Sequence, residues 1–465
     1  MKLNKIKMPN TYLIISSIIV FTAILTWFVP GGQYQTVEKD GKTLVLPGTF
    51  QTVESNPQNI DDILMAPLNG FVDAALIIGF VFIVGGTFYV LQKTQAIDSG
   101  IMALAKAYKS SRIVQYFLIP IFVIVFSLAG AIFGMSEEVI PFVLLFIPLA
   151  LALGYDTVTG VAIPFIGAGA GFASAFINPF TLGIAQAIAE VQPLSGMTYR
   201  LFCWFITTSI AIIFIMRYAR KIKITPELSV TYESDLIKKK SYHLTNLNNF
   251  STISKKHKLV LFTFLAGMIV LVFGVLNYGW YIKEICALFL LLGILVGLIG
   301  KLKLDEITES FLQGAKDLVG TGIIIAFARG ILIIARDGKI IDTILDKLSS
   351  YIGLLDPIVS AQTMFIVQTF INFFIPSGSG QAALTMPIMA PLGDLVGVSR
   401  QTAVLAFQFG DGFSNMIIPT SAVTMGVLSL AGIPWEKWAR WILPLEVVLL
   451  IVGFILLIPP FFIGW

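Results

Sequence analysis

Three carboxylic acids and one guanidinium stand inside long apolar stretches, where an ionised group is expensive unless it has a task. Glu137 and Glu138 follow Gly134-Met135-Ser136, Asp411 sits in Gly410-Asp411-Gly412-Phe413-Ser414-Asn415, and Arg329 interrupts the run from Ile323 to Ile334. Arg336 and Asp337 lie nearer the end of that run and can reach an interface. Hydroxyl and amide side chains likewise stand in or beside apolar runs: Ser136, Ser174 and Asn178 in one half, Ser377, Ser379, Gln381, Ser414, Asn415 and Thr420 in the other. No nucleophile with an adjacent base appears among them, so the chemistry is reversible binding and the chain does not read as an enzyme. A carboxylate accepts from an ammonium or guanidinium, while serine hydroxyls and helix N-termini can hold a carboxylate. Three central acids against one arginine suit a cationic solute and repel a dianion. Two plainer readings stay open: Glu137-Glu138 as a solvated loop, and Arg329 as the structural partner of an acid.

Composition decides what surrounds these residues. Hydrophobic residues make up 56% of the 465, charged residues 12%, and mean hydropathy is +0.87. That is too apolar for a water-soluble domain. Tyr12 to Phe28, Ala74 to Leu91, Phe202 to Met216, Leu259 to Leu276 and Leu445 to Ile463 each approach the roughly 20 apolar residues that cross a bilayer as a helix. No alternating barrel pattern is present, and Pro30-Gly31-Gly32 after the first run is not a signal cleavage site, so that run reads as a retained span. The two histidines, His243 and His257, fall in a polar stretch, so no His-ligated metal centre is expected in the membrane, and no cofactor is implied. Cys203 and Cys286 lie in apolar runs and read as packing residues. The net charge of +4 does not suggest nucleic-acid binding.

Basic residues set the orientation. Lys2, Lys5 and Lys7 precede the first run, Lys93, Lys106, Lys109 and Arg112 follow the second, and Gly31 to Gly70 between them is polar and acidic. The positive-inside rule therefore places the N-terminus in the cytoplasm. Residues 217–257, with Arg217, Arg220, Lys221, Lys223 and Lys238 to Lys240, read as a cytoplasmic linker between two membrane halves, 1–216 and 258–465. Lys301, Lys303, Lys437 and Arg440 mark further cytoplasmic turns, which leaves the C-terminus outside after about nine crossings.

The halves repeat. At an offset of 244, Gly70, Asp73, Gly86, Ile97 and Asp98 match Gly314, Asp317, Gly330, Ile341 and Asp342; at 243, Ser136, Pro148, Gly154, Val161 and Gly167 match Ser379, Pro391, Gly397, Val404 and Gly410. The charge anchors run the copies in opposite directions, which makes them inverted repeats. Each copy carries a short amphipathic stretch expected along the interface, then two apolar pieces around a polar turn, at about 113–153 and 357–397. These are expected to be re-entrant hairpins, with two full spans as the alternative. Each hairpin precedes a long segment broken by Gly and Pro, at about 156–190 and 399–431, where freed backbone groups must face protein, water or ligand. Close glycine packing with a proline kink is the plainer reading of each break. The fold expected is an all-α polytopic membrane protein whose hairpin tips, Ser136 and Ser379, meet at one site.

Gly134-Met135-Ser136-Glu137-Glu138, with Gly410 to Asn415 and the trailing Pro419-Thr420, resembles the YfcC branch of the C4-dicarboxylate anaerobic carrier family, in the ion transporter superfamily. The resemblance spans nearly the whole chain and implies an elevator-type secondary transporter of the bacterial inner membrane, often a homodimer, that exchanges basic amino acids such as arginine and ornithine. It equally admits a C4-dicarboxylate or related organic-acid carrier, with Arg329 as the counter-charge. By motif position it places Ser136, Glu137, Glu138, Ser174, Asn178, Ser377, Ser379, Gln381, Asp411, Ser414, Asn415 and Thr420 around the substrate. The Asn-Thr pair that follows the tip serine in sodium-coupled dicarboxylate relatives is absent, so the coupling ion stays open: sodium, a proton, or none in an obligate exchanger. A passive channel would need a continuous polar stripe rather than discrete breaks.

Overall fold

A computed structural model describes residues 11–39, 42–192, 195–241, 254–352 and 355–465. The basic residues Lys2, Lys5 and Lys7, His243 and most of the second half of the 217–257 linker lie outside the described residues. Among the described residues, eight helices are long and apolar enough to cross a membrane, from Ala75–Lys93 to the segment Trp435–Ile463, and three shorter apolar ones accompany them. The protein is a multi-pass membrane protein built mainly of helices.

Two short antiparallel ladders depart from the all-α expectation. Gly32–Gln33 pairs with Gln51–Thr52, and Thr36–Lys39 with Lys42–Val45. Thr36-Val37 and Thr43-Leu44-Val45 supply β-branched residues outside the apolar runs, where no helix competes for them.

The chain forms two compact units, and each takes segments from both sequence halves. One comprises Ala74–Asn178 and Leu201–Ile323. Here Leu304–Asp317 lies against Ala75–Lys93 so closely that a Cβ on Gly314 would stand 2.3 Å from the Gly85 carbonyl oxygen. Thr87 donates to the Phe289 carbonyl at 2.8 Å, and the rings of Phe80, Phe88, Phe264 and Phe289 fill the seam with Ile282–Ile299 and Lys255–Tyr278.

The helix Met197–Ile224 carries Arg217 to Lys223, because seven residues without Gly or Pro simply extend it, and a further helix, Tyr232–Ser241, follows. That helix docks on the start of Thr157–Ala173. Asp156 caps this start by accepting from Thr159 N at 2.8 Å, and its other oxygen accepts from Tyr218 OH at 2.6 Å and Ser229 Oγ at 2.7 Å. Asp235 accepts from Thr157 N at 2.9 Å and from Thr231 Oγ1 at 2.8 Å. Burial holds the Lys238 ammonium below its usual range, against the opposing pull of Asp235 and Asp156.

The other unit holds the segment ending at Asp73, Pro179–Arg200 and the chain from Ile324 on. Ile15, Ile19 and Ala23 of the first helix pack with Ala66, Ile324, Ala328, Ile331 and Met425. Ile60–Asp73 approaches Val319–Asp337 at backbone distance, with a Cβ on Gly70 falling 2.2 Å from the Ala326 carbonyl oxygen and 2.7 Å from Gly330 N. The segment after the first helix is tied to Ile341–Ile352 by Tyr34, whose N donates to Asp342 at 3.0 Å and whose OH donates to Asp346 at 3.0 Å.

Candidate functional site

In the first unit the hairpin consists of Arg112–Phe133, a tip at Gly134, Met135 and Ser136, a 3-10 turn Glu137–Val139, and Ile140–Ala152. Gly134 ends the first arm at φ +73°, a conformation that favours glycine. The broken helix beside it runs Thr157–Ala173 and stops at Ser174. A Cβ on Gly171 would lie 1.8 Å from the Ser127 carbonyl oxygen, so Gly171 serves close packing on the hairpin arm. The backbone released at the break finds partners on that arm too: Ile177 N and Asn178 N both donate to the Ala131 carbonyl, at 3.2 and 3.1 Å.

Tip and break meet here. The Asn178 carboxamide is fully buried and lies against Gly134, where a Cβ would come within 2.6 Å of Asn178 Oδ1. Glu138 is buried and accepts from Ser136 N at 3.0 Å, while Glu137 and Ser136 are half-buried. Of the predicted residues in this unit, Ser136, Glu137, Glu138 and Asn178 gather at the tip. Ser174 turns away from it: its hydroxyl donates to Ala170 O at 2.6 Å and shares a hydrogen bond with Thr207 at 2.8 Å.

In the second unit the first arm is Pro357–Phe374 and the second is Gly378–Val396. Ser377 is the N-cap of the second arm and accepts from Gly380 N. The second arm therefore starts before Ser379 and Gln381, which the sequence reading places in the turn. Ser379 is exposed in its first helical turn. Gln381 is buried between the arms, donating to Gln368 O and Oε1, both at 2.8 Å. It ties the hairpin together.

Asp411, Ser414 and Asn415 come together where Arg400–Ser414 ends. Asn372 of the hairpin arm binds all three, its Nδ2 lying 3.0 Å from Asp411 O, 2.8 Å from Ser414 Oγ and 3.0 Å from Asn415 Oδ1. Asn415 donates to Asp411 Oδ1 at 3.0 Å; Asp411 Oδ2 is buried with no donor among the described residues. Thr420 is buried just beyond, its hydroxyl likewise unpartnered. Two carbonyls of the break are taken by indoles of Trp435–Leu456: Trp438 Nε1 donates to Met416 O at 2.9 Å and Trp435 Nε1 to Ile417 O at 2.8 Å. Asn372 and the two tryptophans escaped the sequence reading. The signal for Asn372 is a lone amide in Phe370-Ile371-Asn372-Phe373-Phe374.

Arg329 joins none of these groups. It forms an ion pair with Asp73, which also receives Arg336 Nη1 at 3.4 Å. Close to the second hairpin, a cavity of about 650 Å³ is lined by Asp62, Arg336, Lys339, Asp342, Ile375 and Leu384 among others. No cluster of His, Cys, Asp and Glu able to hold a metal occurs among the described residues.

Polar tips, broken helices and buried acids in an apolar frame agree with the sequence family. Residues 8–461 match the model of the C4-dicarboxylate anaerobic carrier, DcuC. The chain belongs to the DcuC family. Among DcuC-like relatives it is 36% identical to YfcC of Escherichia coli K12, named provisionally as a basic amino acid antiporter, over 93% of this chain and 92% of that one. It is 30% identical to an uncharacterized protein of Haemophilus influenzae, over 97% and 96%. Among solved structures it is similar to the YdaH transporter of Alcanivorax borkumensis, with TM-score 0.44 and 16% identity over 98% and 99% of the chains. It is also similar to MtrF of Neisseria gonorrhoeae, from a class of antimetabolite efflux pumps, with TM-score 0.44 and 19% identity over 97% and 95%.

Proposed function

We propose that this DcuC-family transporter is a secondary active exchanger of basic amino acids, such as arginine for ornithine. It works in the bacterial inner membrane as a homodimer with an elevator movement of its hairpins and broken helices. The observation that carries the substrate class is the fate of the charges. Arg329, the cation a dicarboxylate would need, is committed to Asp73, whereas Asp411 keeps a buried carboxylate oxygen without a donor. A guanidinium or ammonium supplies the missing donor. Each unit offers a solute the polar groups of its own tip and break: Ser136, Glu137, Glu138 and Asn178 in one, and Ser377, Ser379, Asp411, Ser414, Asn415 and Thr420 in the other, where Asn372 acts as a positioning residue. The name of the Escherichia coli relative supports the same class.

Re-entrance of the first hairpin is supported by the length of its second arm. Ile140–Ala152 has 13 residues, about 20 Å of helix against roughly 30 Å of hydrocarbon. Inverted repetition is supported by equivalent seams: Gly70 on Gly330 in one unit, and Gly314 on Gly85 and its neighbour Gly86 with Phe311 in the other. The second reading, a C4-dicarboxylate carrier, rests on the family's name and on the cations Arg336 and Lys339 at the cavity.

Proteoliposomes loaded with ornithine and challenged with labelled arginine, lysine, succinate and malate separate the two. Arginine and lysine enter in exchange for ornithine on the first reading; succinate uptake with indifference to arginine overturns it. Asp411→Asn and Glu138→Gln each weaken arginine exchange by about a hundredfold or more, the effect of breaking a buried charge pair worth about 3 to 5 kcal/mol. Unchanged exchange in both variants leaves the substrate class and removes these residues from the site.

A further inference from the structure

One acid has no place in the substrate site. Glu446 stands in the run Leu445 to Ile463, where the hydropathy pattern hides a single carboxylate among aliphatic neighbours. It is the twelfth of the 22 residues of Trp435–Leu456, so about 15 Å of helix lies on either side of it. Its side chain is 4% exposed, and neither carboxylate oxygen has a hydrogen-bond partner among the described residues.

Glu446 lies on the packed face of its helix. That face holds Trp438, Ile442, Leu445, Leu449 and Gly453, all buried. Two turns before it, Trp438 donates to Met416 O at the break; two turns after it, a Cβ on Gly453 would touch Phe365 and, at 3.4 Å, Phe413. Both ends of the face that carries Glu446 therefore rest on the stretch from Phe413 to Met416. Neighbouring elements offer it little charge. Arg400–Ser414 contributes Arg400 and Asp411, Ala422–Ala431 and Pro357–Phe374 contribute none, and Met197–Ile224 contributes Tyr199, which donates its OH to Leu456 O at the far end, and Arg200, which lies over the Trp465 ring and donates to Gln401 Oε1 at 3.1 Å. Glu436, Lys437 and Arg440 belong to the first two turns of its own helix.

An ionised carboxylate so placed, with no donor and no cation, bears the full cost of desolvation, whereas the neutral acid does not. A metal ion would need several oxygen ligands, but a proton needs one. We propose that Glu446 is a proton-binding site of the transporter, occupied when its helix is packed on the second break and emptied when that packing opens during the cycle. Solute movement is thereby tied to proton movement. The inference rests on the transport reading above but not on the identity of the solute.

The test uses the full chain in liposomes containing ornithine and a trapped pH dye, with uptake of labelled arginine, lysine, succinate and malate followed in parallel. Wild type shifts the internal pH as it takes up whichever solute it accepts. Glu446→Gln keeps uptake but loses both the pH shift and the pH dependence of the rate, and Glu446→Asp keeps the pH shift with a displaced pH profile. Should neither variant fold, wild type treated with a membrane-permeant carbodiimide decides, since this reagent modifies protonated carboxyls: the Glu446 peptide gains the adduct, less so as pH rises. Uptake in wild type with no pH shift, an unchanged pH shift in Glu446→Gln, or no adduct at any pH overturns the proton site alone. Uptake of none of the four solutes overturns the transport reading, and the proton site with it.

Discussion

At the residue scale the second break is organised by an amide. Asn372 brings one NH2 group to Asp411 O, Ser414 Oγ and Asn415 Oδ1, and through Asn415 it steadies the Asp411 carboxylate. Removing it strands buried acceptors that no water from the lipid phase can satisfy. Asn372→Ala therefore lowers stability by about 1 to 3 kcal/mol and weakens substrate exchange, although the residue carries no charge. Thermal unfolding in detergent followed by tryptophan fluorescence checks the first part, and an unchanged midpoint would show that the cluster closes without it. Asp411, Ser414 and Asn415 were legible in the sequence because an acid between two glycines, followed within four residues by a serine and an asparagine, has no reason to stand in an apolar run. Asn372 was less so, being one amide among phenylalanines, and Glu446 was masked by the hydropathy of its neighbours. Arg329 was legible as a charge, with a structural pairing to an acid left open, but Asp73 was not legible as that acid, since it lies 256 positions away.

At the element scale the breaks are held by close backbone approach. In the first unit Gly171 meets Ser127 and Gly130 meets Ala168; in the second Gly410 meets Gln368 and Thr369. The sequence shows the glycines and prolines of each break but not which of them pack and which free the backbone. That division depends on the arm lying opposite. Gly171→Ala tests it: the new methyl would lie 1.8 Å from Ser127 O, which is backbone and cannot swing aside. The arm must move, at a cost of about 1 to 3 kcal/mol, and the displaced tip should weaken exchange as well as stability. Gly79→Ala, where a Cβ meets nothing within 4 Å, is the control and should leave both unchanged. Equal effects in the two variants would mean that the seam is not what positions the tip. Helix ends were legible where a cap marks them, as at Asp156 and Ser399, which accept from Thr159 N and Thr402 N. Docking of Tyr232–Ser241 was not, because a lysine-rich segment reads as solvated until Asp235 is seen to hold Thr157.

At the scale of the whole molecule, the sequence repeat gains physical content from which helix packs on which. Under the offset of 244, Ile60–Asp73 corresponds to Leu304–Asp317, and Ala75–Lys93 to Val319–Asp337. Each leading helix packs on the span of the other copy, Gly70 against Gly330 and Gly314 against Gly85. On the proposed inverted arrangement, which the charge bias predicts, equivalent loops of the two copies face opposite sides of the membrane. The expectation is testable on exposed positions of the two polar regions. Glu38, in the ladder that follows the first helix, should face the outside, and Lys240, at the end of the docked linker helix, the cytoplasm; both are exposed. Single cysteines are placed there in a chain lacking Cys203 and Cys286. A membrane-impermeant maleimide added to intact cells should then label position 38 and leave 240 untouched until the membrane is opened. Labelling of 240 from outside, with 38 protected, would reverse the orientation. Labelling of both from the same side would remove the odd number of crossings between them, and with it the inverted arrangement on which the transport proposal depends.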